Sequence, residues 1–386
     1  MIKVIFTYII TVIKVVSVLL SGETAMPQDN GITDVYFDPM NGSAVYSYQP
    51  QDGSLLEEPE EPVNRGLVFD GWYVGDKKWD FDVDTVTGDT TLKAKWRFSD
   101  NAFDNDPNAS VRTENSNVRV MSFNILASDW NNNPPVKDRE DLFRDVIARY
   151  APDVVGMQEV NAEWYETLKA DFGTYRFVNE KNNRIRGYVN YSTIAYNTET
   201  VTLVKYGQTA FTVNMNKNCR NLMWAIFELK SDPGKRFMVT STHWDLTSER
   251  RVAEAIEMGG ILKILEQWYK IPMFCTGDYN AREGSDEYKT FVECTSFKSS
   301  KFCAENRGLV ASSSHLGDGT GTAEDYSSGY WKLGVASYRQ KCINTINTID
   351  HIFASPDANV LYYDTVIDET ALEASDHCPI YIDAVI

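Results

Sequence analysis

Residues 349–353, IDHIF, and residues 374–380, ASDHCPI, are two short runs near the carboxyl end, and each contains an Asp-His pair. The chain has only 4 histidines, so His351 and His377 account for half of them. His243 is a third and follows an apolar run, in STHWD at residues 241–245. A lone histidine is usually structural, whereas three beside aspartates at predicted strand ends favour a catalytic or metal site. We read both Asp-His pairs as lying on short strands.

Three other predicted strands end in side chains that carry oxygen. Asn124 lies near the end of VMSFNIL, and Glu159 near the end of DVVGMQEV. Asp278 and Asn280 follow FCTG in the same way. Carboxylate and amide oxygens are ligands that a hard divalent cation such as Mg²⁺ prefers. Each strand end alone is a weak signal, because Asp and Asn favour turns. Together with the histidines, they predict one metal-dependent site.

Length and charge restrict the class of protein. With 386 residues and 43% apolar content, the chain is long enough for one large core and a smaller module, so we expect two domains. A net charge of -18 argues against a general nucleic-acid-binding surface, which usually has a basic face. It does not argue against a small phosphate ester held at a metal site. The 6 cysteines form no CxxC motif, and pairing of Cys294 with Cys303 stays open.

The amino end resembles an export signal. Lys3 precedes an apolar stretch over residues 4–20, and small residues follow as far as Ala25. Lys14 interrupts the stretch, so a start-site artefact is the alternative interpretation of residues 1–25. No later run reaches the ~18 consecutive apolar residues of a transmembrane helix. We therefore expect a secreted or cell-surface bacterial protein.

Residues 34–96 consist of short strand-like runs separated by turn residues. We read residues 67–69 as a strand that Asp70 and Gly71 break. Through VYFD at 35–38, FDGWY at 69–73 and GDTTLKAKW at 88–96, the segment resembles the internalin-type B-repeat (Listeria-Bacteroides repeat) of bacterial surface proteins. The resemblance implies a small β-rich, ubiquitin-like module that serves as a spacer or adhesive unit and contacts a cell-surface partner.

A polar stretch over residues 97–117 predicts a linker, and a larger domain follows over 118–386. Apolar runs predict strands at residues 118–125, 154–157, 192–196, 224–229, 237–242, 273–276, 349–354 and 379–384. Helical periodicity appears at 139–150 and 249–268. In the second helix, one buried face is predicted to contain Val252, Ile256, Ile261, Leu262 and Leu265. Strands buried between helix layers form an α/β sandwich.

The ordered motifs of this domain resemble the endonuclease/exonuclease/phosphatase superfamily. Its members include deoxyribonuclease I, abasic-site endonucleases, bacterial sphingomyelinases and inositol polyphosphate 5-phosphatases. The resemblance implies a four-layered αββα sandwich with the site at one edge of the paired sheets. It also implies that Asn124, Glu159 and Asp376 bind or support a metal. The expected metal is Mg²⁺, with Mn²⁺ or Ca²⁺ as alternatives.

The same resemblance implies roles for the remaining polar residues. Asp278 and Asn280 are expected to contact the phosphate and the attacking water. His377 is expected to be the catalytic acid or base, with Asp350 orienting it. His243 matches a second histidine that deoxyribonuclease I, sphingomyelinases and phosphatases have and abasic-site endonucleases lack.

Other features of the domain carry weaker expectations. His351 reads as structural, although it lies next to Asp350. Arg220 and Arg186 are candidates for contact with the substrate phosphate, and a surface salt bridge is an equally good interpretation of Arg220. The long segment at 296–347 is expected to overhang the cleft and to set specificity.

The leading hypothesis is a metal-dependent phosphoesterase, with a phosphodiester favoured over a monoester. Hydrolysis of a phosphodiester requires neutralisation of the charge on the nonbridging oxygens, a nucleophile made from water, and a proton for the leaving oxygen. An imidazole with a carboxylate partner can move that proton at cellular pH. Nucleic acid, a lipid headgroup and a small molecule stay open as substrates, and we expect a monomer. The alternative is a catalytically inactive adhesion protein, against which the intact polar residues argue.

Overall fold

The computed structural model describes residues 32–41, 43–64, 67–98, 110–129, 133–179, 184–185, 188–189, 191–213, 220–309 and 348–386. The predicted signal segment, most of the predicted linker, Arg186 and residues 310–347 lie outside the described residues. We call residues 32–98 the amino-terminal module and residues 110–386 the main domain. No helix among the described residues is both long and apolar enough to cross a bilayer.

The amino-terminal module is built on one five-stranded sheet, in the order β2-β1-β5-β3-β4. Its strands are β1 (Val35–Asp38), β2 (Tyr46–Tyr48), β3 (Leu67–Val74), β4 (Lys77–Lys78) and β5 (Thr90–Phe98). The predicted break in β3 is wrong, because the strand continues through Asp70 and Gly71 and only its register shifts there. Gly71 has a φ of 135°, a conformation open to glycine that lets the strand absorb the extra residue as a bulge.

The main domain contains two large sheets and a short hairpin. In chain order its strands are β6 (Val118–Asn124), β7 (Val154–Gln158), β8 (Tyr175–Phe177), β9 (Arg184–Ile185), β10 (Tyr188–Val189), β11 (Thr193–Asn197), β12 (Val201–Ala210), β13 (Asn221–Leu229), β14 (Arg236–His243), β15 (Met273–Asp278), β16 (Lys298–Ser299), β17 (Asn306–Arg307), β18 (Asp350–Ala354), β19 (Asn359–Thr365) and β20 (Ile380–Val385). The first sheet has the order β17-β19-β20-β6-β7-β11-β8, and the second has the order β12-β13-β14-β15-β18-β16.

Six described α-helices accompany these sheets, together with a 3-10 turn at Val136–Asp138. They are α1 (Glu140–Tyr150), α2 (Ala162–Ala170), α3 (Ser248–Tyr269), α4 (Asp286–Cys294), α5 (Ser300–Cys303) and α6 (Glu369–Ala374). Side chains of Asn161, Ser285 and Asp368 accept backbone N–H groups at the starts of α2, α4 and α6. These N-caps satisfy donors that have no partner inside a helix.

The two sheets of the main domain pack face to face over an apolar core. Val120 and Ile382 of the first sheet share one buried cluster with Met223, Val239 and Phe274 of the second. Gly156 on β7 is part of this contact, since a Cβ atom at that position would collide with the hydroxyl of Thr276 on β15. The absence of a side chain there lets the strands approach closely.

Helices pack on the outer side of each sheet. Phe143 of α1, Trp164 of α2 and Ala371 of α6 share a buried cluster with Phe123 of the first sheet. Leu262 of α3 and Phe291 of α4 share another with Met238 of the second sheet. The fold is therefore a mixed α/β arrangement in which each sheet lies between apolar layers.

Each predicted strand run of the main domain overlaps an observed strand. Two details of the prediction are wrong. The pair Asp376-His377 does not lie on a strand but in the turn between α6 and β20. Ile256 is 54% exposed, because the buried face of α3 is formed by Ala255, Met258 and Leu262 and excludes it. Cys294 and Cys303 are both thiols rather than a disulfide.

Candidate active site

The polar residues meet because neighbouring strands of the second sheet end at the same edge. His243 at the end of β14 lies opposite Asp278 at the end of parallel β15. Asp278 in turn lies opposite Asp350, the first residue of antiparallel β18. In a sheet, residues at the same register position on neighbouring strands point to the same face. All three side chains are buried.

The Asp278 carboxylate is the centre of this group. Its Oδ2 lies 3.0 Å from Asn124 Nδ2, which reaches across from the first sheet. The same oxygen lies 3.3 Å from His243 Nε2 and 3.8 Å from His377 Nε2. Burial, together with the charge of Asp350, raises the pKa of Asp278 to about 6. The carboxylate is thus ionised at neutral pH but poised to accept a proton.

His377 is held in place on both its ring and its backbone. Ring Nδ1 lies 2.8 Å from Oδ2 of Asp350, so Nε2 is the nitrogen that faces Asp278. The hydroxyl of Ser375 donates to the Asn124 carbonyl at 2.6 Å and accepts the His377 N–H at 3.2 Å. Burial alone would lower the pKa of His377, but the charges of Asp350 and Asp376 raise it well above the ordinary value.

His243 has the opposite electrostatic surroundings. Burial is the largest cause that lowers its pKa well below the ordinary value, and the charge of Arg220 adds to the effect. Arg220 is half-buried just before β13, and its Nε has no hydrogen-bond partner among the described residues. The part of the chain that the structure describes contains no carboxylate in an ion pair with Arg220. Its guanidinium is therefore a half-buried positive group whose charge acts on His243.

Glu159 and Asp376 form an acidic pair on the other side of Asn124. Glu159 follows β7 with a φ of 62°, and its carboxylate accepts the Ala127 N–H at 2.9 Å and Asn124 Nδ2 at 3.3 Å. Burial, followed by the charge of Asp376, raises the pKa of Glu159. Among the described residues, no Lys or Arg neutralises either carboxylate through an ion pair.

This acidic pair fits a hard divalent cation. Two desolvated carboxylates and an amide offer oxygen ligands of the kind that Mg²⁺ takes, and a cation would offset their repulsion. The described residues contain one further candidate group, Asp278, Asp350 and His377, whose ligand atoms lie within 4.8 Å of one another. We regard this second group as weaker, because Asp350 already accepts the hydrogen bond of the His377 ring.

Asn280 and His351 lie at the same edge with different contacts. Asn280 has a φ of 46°, donates its N–H to Asp278 Oδ1 at 2.9 Å, and donates its side-chain amide to the Trp244 carbonyl at 3.0 Å. His351 is turned away from Asp278, since its Nε2 lies 2.7 Å from the Ala281 carbonyl among the rings of Tyr279 and Tyr288.

Sequence reasoning missed a clamp next to the site. The Glu283 carboxylate pairs with Nζ of buried Lys301 at 2.8 Å and accepts the Thr348 N–H at 3.1 Å and the Thr348 hydroxyl. These contacts tie the loop after Asp278 to the residues that precede Asp350. Glu283 is acidic and Lys301, which is 3% exposed, is basic, and the two lie 18 residues apart. No sequence motif contains both residues, so the pair could not be predicted.

Comparison with known proteins identifies the amino-terminal repeat. Residues 34–95 match the Listeria-Bacteroides repeat domain, and 66 residues of the chain are 41% identical to Internalin H of Listeria monocytogenes. The match covers 16% of this chain. The chain spans only 8–12% of the length of the curated proteins that share this repeat.

Solved structures resemble the main domain. An endonuclease/exonuclease/phosphatase family protein from Bacteroides thetaiotaomicron gives a TM-score of 0.56 at 20% identity, covering 69% of this chain and 97% of that one. A mannosyl-6-phosphatase from the same organism gives 0.55 at 20% identity, covering 70% and 100%. At this identity the likeness concerns the fold. Residues 121–377 match the family model itself, and the chain belongs to the endonuclease/exonuclease/phosphatase family.

Proposed function

We propose that the main domain hydrolyses a phosphate ester with the help of a divalent metal, and that the substrate is a phosphodiester. One observation carries the proposal: Asp278 lies between two imidazoles, and His377 is backed by Asp350 at 2.8 Å. Family membership supports phosphoester hydrolysis as the reaction class. The mutual repulsion of the Glu159 and Asp376 carboxylates, which a cation would offset, supports metal dependence.

The proposed metal ligands are Glu159 and Asp376, with Asn124 as a further ligand or support. A bound Mg²⁺ would supply positive charge to the nonbridging oxygens of the phosphate. Asn124 orients the Glu159 carboxylate and also donates to Asp278. In this way one amide connects the acidic pair with the residues that handle protons.

The pKa shifts of the three central groups support a division of roles between acid and base. His377 has a raised pKa, which favours the protonated ring, so its Nε2 can donate a proton to the leaving oxygen as the P–O bond breaks. Asp278, with a pKa of about 6, can take the proton of the attacking water as its oxygen bonds to phosphorus. His243 is neutral, because its pKa is lowered, and can donate or accept one hydrogen bond to the phosphate.

Arg220 is the proposed contact for a phosphate oxygen. Its Nε lacks a partner among the described residues and its charge acts on His243, so a bound anion would satisfy it. Asn280 is proposed to contact the phosphate or the attacking water beside Asp278. Arg186 stays a candidate from the sequence alone.

The test is hydrolysis of bis-p-nitrophenyl phosphate, nucleic acid and sphingomyelin, each with Mg²⁺ and after stripping with EDTA. We expect turnover of at least one diester that EDTA abolishes and Mg²⁺ restores. A monoester arm with p-nitrophenyl phosphate and mannose 6-phosphate is included because one structural relative is a mannosyl-6-phosphatase. Turnover of monoesters alone would overturn the diester assignment. Absence of turnover on every substrate would favour the adhesion protein instead.

We also propose the setting in which the enzyme works. The match to a repeat of bacterial surface proteins supports a secreted or cell-surface location, a cell-surface partner and a ubiquitin-like form for the amino-terminal module. Packing of helices on both sheets supports a four-layered αββα sandwich for residues 118–386. We further propose that the chain is a monomer, that the repeat module spans residues 34–96 and that the linker spans residues 97–117.

A further inference from the structure

The amino-terminal module and the main domain share an apolar core. One cluster of buried side chains contains the centre of the module, including Phe37, Trp72 and Trp96, which are 0–1% exposed. The same cluster contains four residues of the main domain. They are Leu309, Ile367, Leu372 and Cys378, all 1–3% exposed. A spacer joined to its neighbour only by a linker would leave such side chains in water.

The four residues surround the turn that carries Asp376 and His377. Ile367 and Leu372 lie just before and within α6, and Cys378 directly follows His377. Leu309 is connected to the same place, because its carbonyl accepts the Thr365 N–H at 3.0 Å. The shared core therefore lies at the edge of the sheets where the site is.

The segment from 366 to 378 has two buried sides. Val366, Ala371 and Ala374 belong to the cluster under α1, whereas Ile367 and Leu372 belong to the core shared with the module. Neighbouring residues therefore face opposite partners. A helix of only 6 residues has little stability by itself, so its position depends on packing against both sides.

The α1 side of this segment is also held by polar contacts. Arg149 pairs with Asp368 at 2.6 Å at the start of α6, and Arg139 donates to the Ala374 carbonyl at 2.9 Å at its end. On the module side, the segment is held by the apolar contacts of the shared core. The module is thus the second support of the segment.

We propose that the amino-terminal module is a positioning module for Asp376 and His377, and that it is not an independent spacer. By covering Ile367, Leu372 and Cys378, it fixes α6 and the turn after it, and so sets the place of the His377 ring. The claim about packing stands alone, whereas the claim about catalysis rests on the proposed function.

The packing is tested first, without any activity measurement. A protease recognition sequence replaces residues 101–108 of the full chain, and the purified protein is cleaved there and passed over a size-exclusion column. We expect both fragments to elute together at the position of the uncut chain. Elution as two separate fragments would overturn the shared core. This result is informative even if no substrate of the enzyme is known.

Positioning is tested by a matched pair of variants in the full chain. Leu372→Ser removes an apolar side chain from the shared core, and Leu229→Ser makes the same change in the core between the two sheets, at the end of β13 that is remote from Arg220. We expect Leu372→Ser to lower kcat about 10-fold or more with little change in KM, since small displacements of a catalytic group are costly. Leu229→Ser should lower Tm while kcat per folded molecule is kept.

A third variant keeps the test open if Leu372→Ser fails to fold. Leu56→Ala lies in the amino-terminal module, 4% exposed, and belongs to the same cluster. Leu56→Ala should also lower kcat. Leu372→Met, which keeps a large apolar side chain at that position of the main domain, should keep the kcat of the unaltered chain. Unchanged kcat in both Leu56→Ala and the folded Leu372→Ser protein would overturn the positioning role. If the unaltered chain itself hydrolyses none of the substrates, the proposed function fails instead, and the packing result is unaffected.

Discussion

His377 and His351 are both buried histidines next to an aspartate in the chain, yet their partners differ. His377 binds Asp350 and faces Asp278, whereas His351 binds the Ala281 carbonyl. We predict that His377→Asn lowers kcat on a diester by about 10²–10⁴-fold, the usual contribution of a general acid. Steady-state kinetics of the Mg²⁺-loaded protein measures this.

The matched control is His351→Asn, which removes a ring of equal burial outside the proton pathway. It should lower Tm but change kcat by less than about 10-fold, because no reacting group contacts that ring. Equal losses of kcat in the two variants would contradict the separate roles of the histidines.

We predict that the ionised Asp278 carboxylate, although the reaction needs it, lowers the free energy of unfolding at neutral pH. Its pKa is about 6 in the folded chain against 3.8 for the free group, so folding favours the protonated form. Stability is therefore unaffected by this group below about pH 4, falls as the pH rises towards 6, and stays lowered above it. Asp278→Asn should be inactive but more stable at pH 7 by a few kcal/mol, since each pKa unit corresponds to about 1.4 kcal/mol.

Thermal unfolding of both proteins in EDTA, between pH 4 and pH 7, checks this prediction. The Tm of Asp278→Asn should exceed the Tm of the unaltered chain by a difference that increases from pH 4 to pH 7. An advantage that is constant with pH, or a less stable variant at pH 7, would show that the buried charge is compensated.

Individual residues of the site could be predicted where chemistry and strand ends coincide. Asn124, Glu159, Asp278 and Asp350 lie at or next to ends of strands, and neighbouring strand ends meet at one edge. Ser375 could not be predicted, because its hydroxyl binds the Asn124 carbonyl 251 residues away and serine is common in any turn.

At the scale of elements, the clamp formed by Glu283, Lys301 and Thr348 joins two loops of the site. We predict that Glu283→Gln lowers kcat about 10-fold with little change in KM, because Asp350 loses its fixed position relative to Asp278. Removing one member of a buried pair should also cost about 3–5 kcal/mol of stability. Kinetics and thermal unfolding are measured on the same preparation.

Glu287→Gln is the matched control for this clamp. Glu287 is buried and pairs with Arg251 at 2.6 Å, but it lies on α4, and none of its hydrogen bonds to described residues reaches Thr348 or Asp350. It should lower Tm by a similar amount and leave kcat almost unchanged. If both variants lose kcat equally, loss of stability rather than loop position explains the effect.

Elements differ in how well the sequence predicts them. Strands such as β6 and β15 were predictable because they are apolar on both faces, as strands between two layers must be. The buried face of α3 was not, because Ile256 is apolar yet points to water, and hydrophobicity alone does not report which side meets the sheet. The break predicted in β3 failed because Gly71 permits a bulge, which looks like a turn in sequence.

For the whole molecule, we predict that Mg²⁺ stabilises the folded chain through the acidic pair. At a concentration near 100 times Kd, binding adds about 2.7 kcal/mol. This corresponds to a rise in Tm of about 5–10 °C for a domain of this size. Thermal unfolding of the EDTA-stripped protein with and without Mg²⁺ provides the measurement.

Two variants locate the binding site. Glu159→Gln should abolish most of the rise in Tm, and His243→Asn should keep it, because His243 contacts Asp278 and not the acidic pair. A full rise in Glu159→Gln would place the cation elsewhere. Loss of the rise in His243→Asn alone would favour the group of Asp278, Asp350 and His377.

The assembly of the two parts of the chain could not be predicted from sequence. Motifs identified the repeat and the main domain separately, because each motif is a local pattern. The shared cluster, which contains Trp72 of the module and Leu372 of the main domain, depends on surfaces that are apolar in both parts, and a sequence pattern does not distinguish such residues from the separate core of either part.

The position of β20 has a consequence for how the protein is made. This strand lies between β19 and β6, and its Asp383 pairs in the interior with Arg119, 264 residues earlier. Until β20 is synthesised, β6, which ends in Asn124, has no neighbouring strand on the side away from β7. The nascent chain must therefore wait for β20 before the first sheet closes. The site that Asn124 and Asp376 help to form can therefore be completed only after β20 has been synthesised.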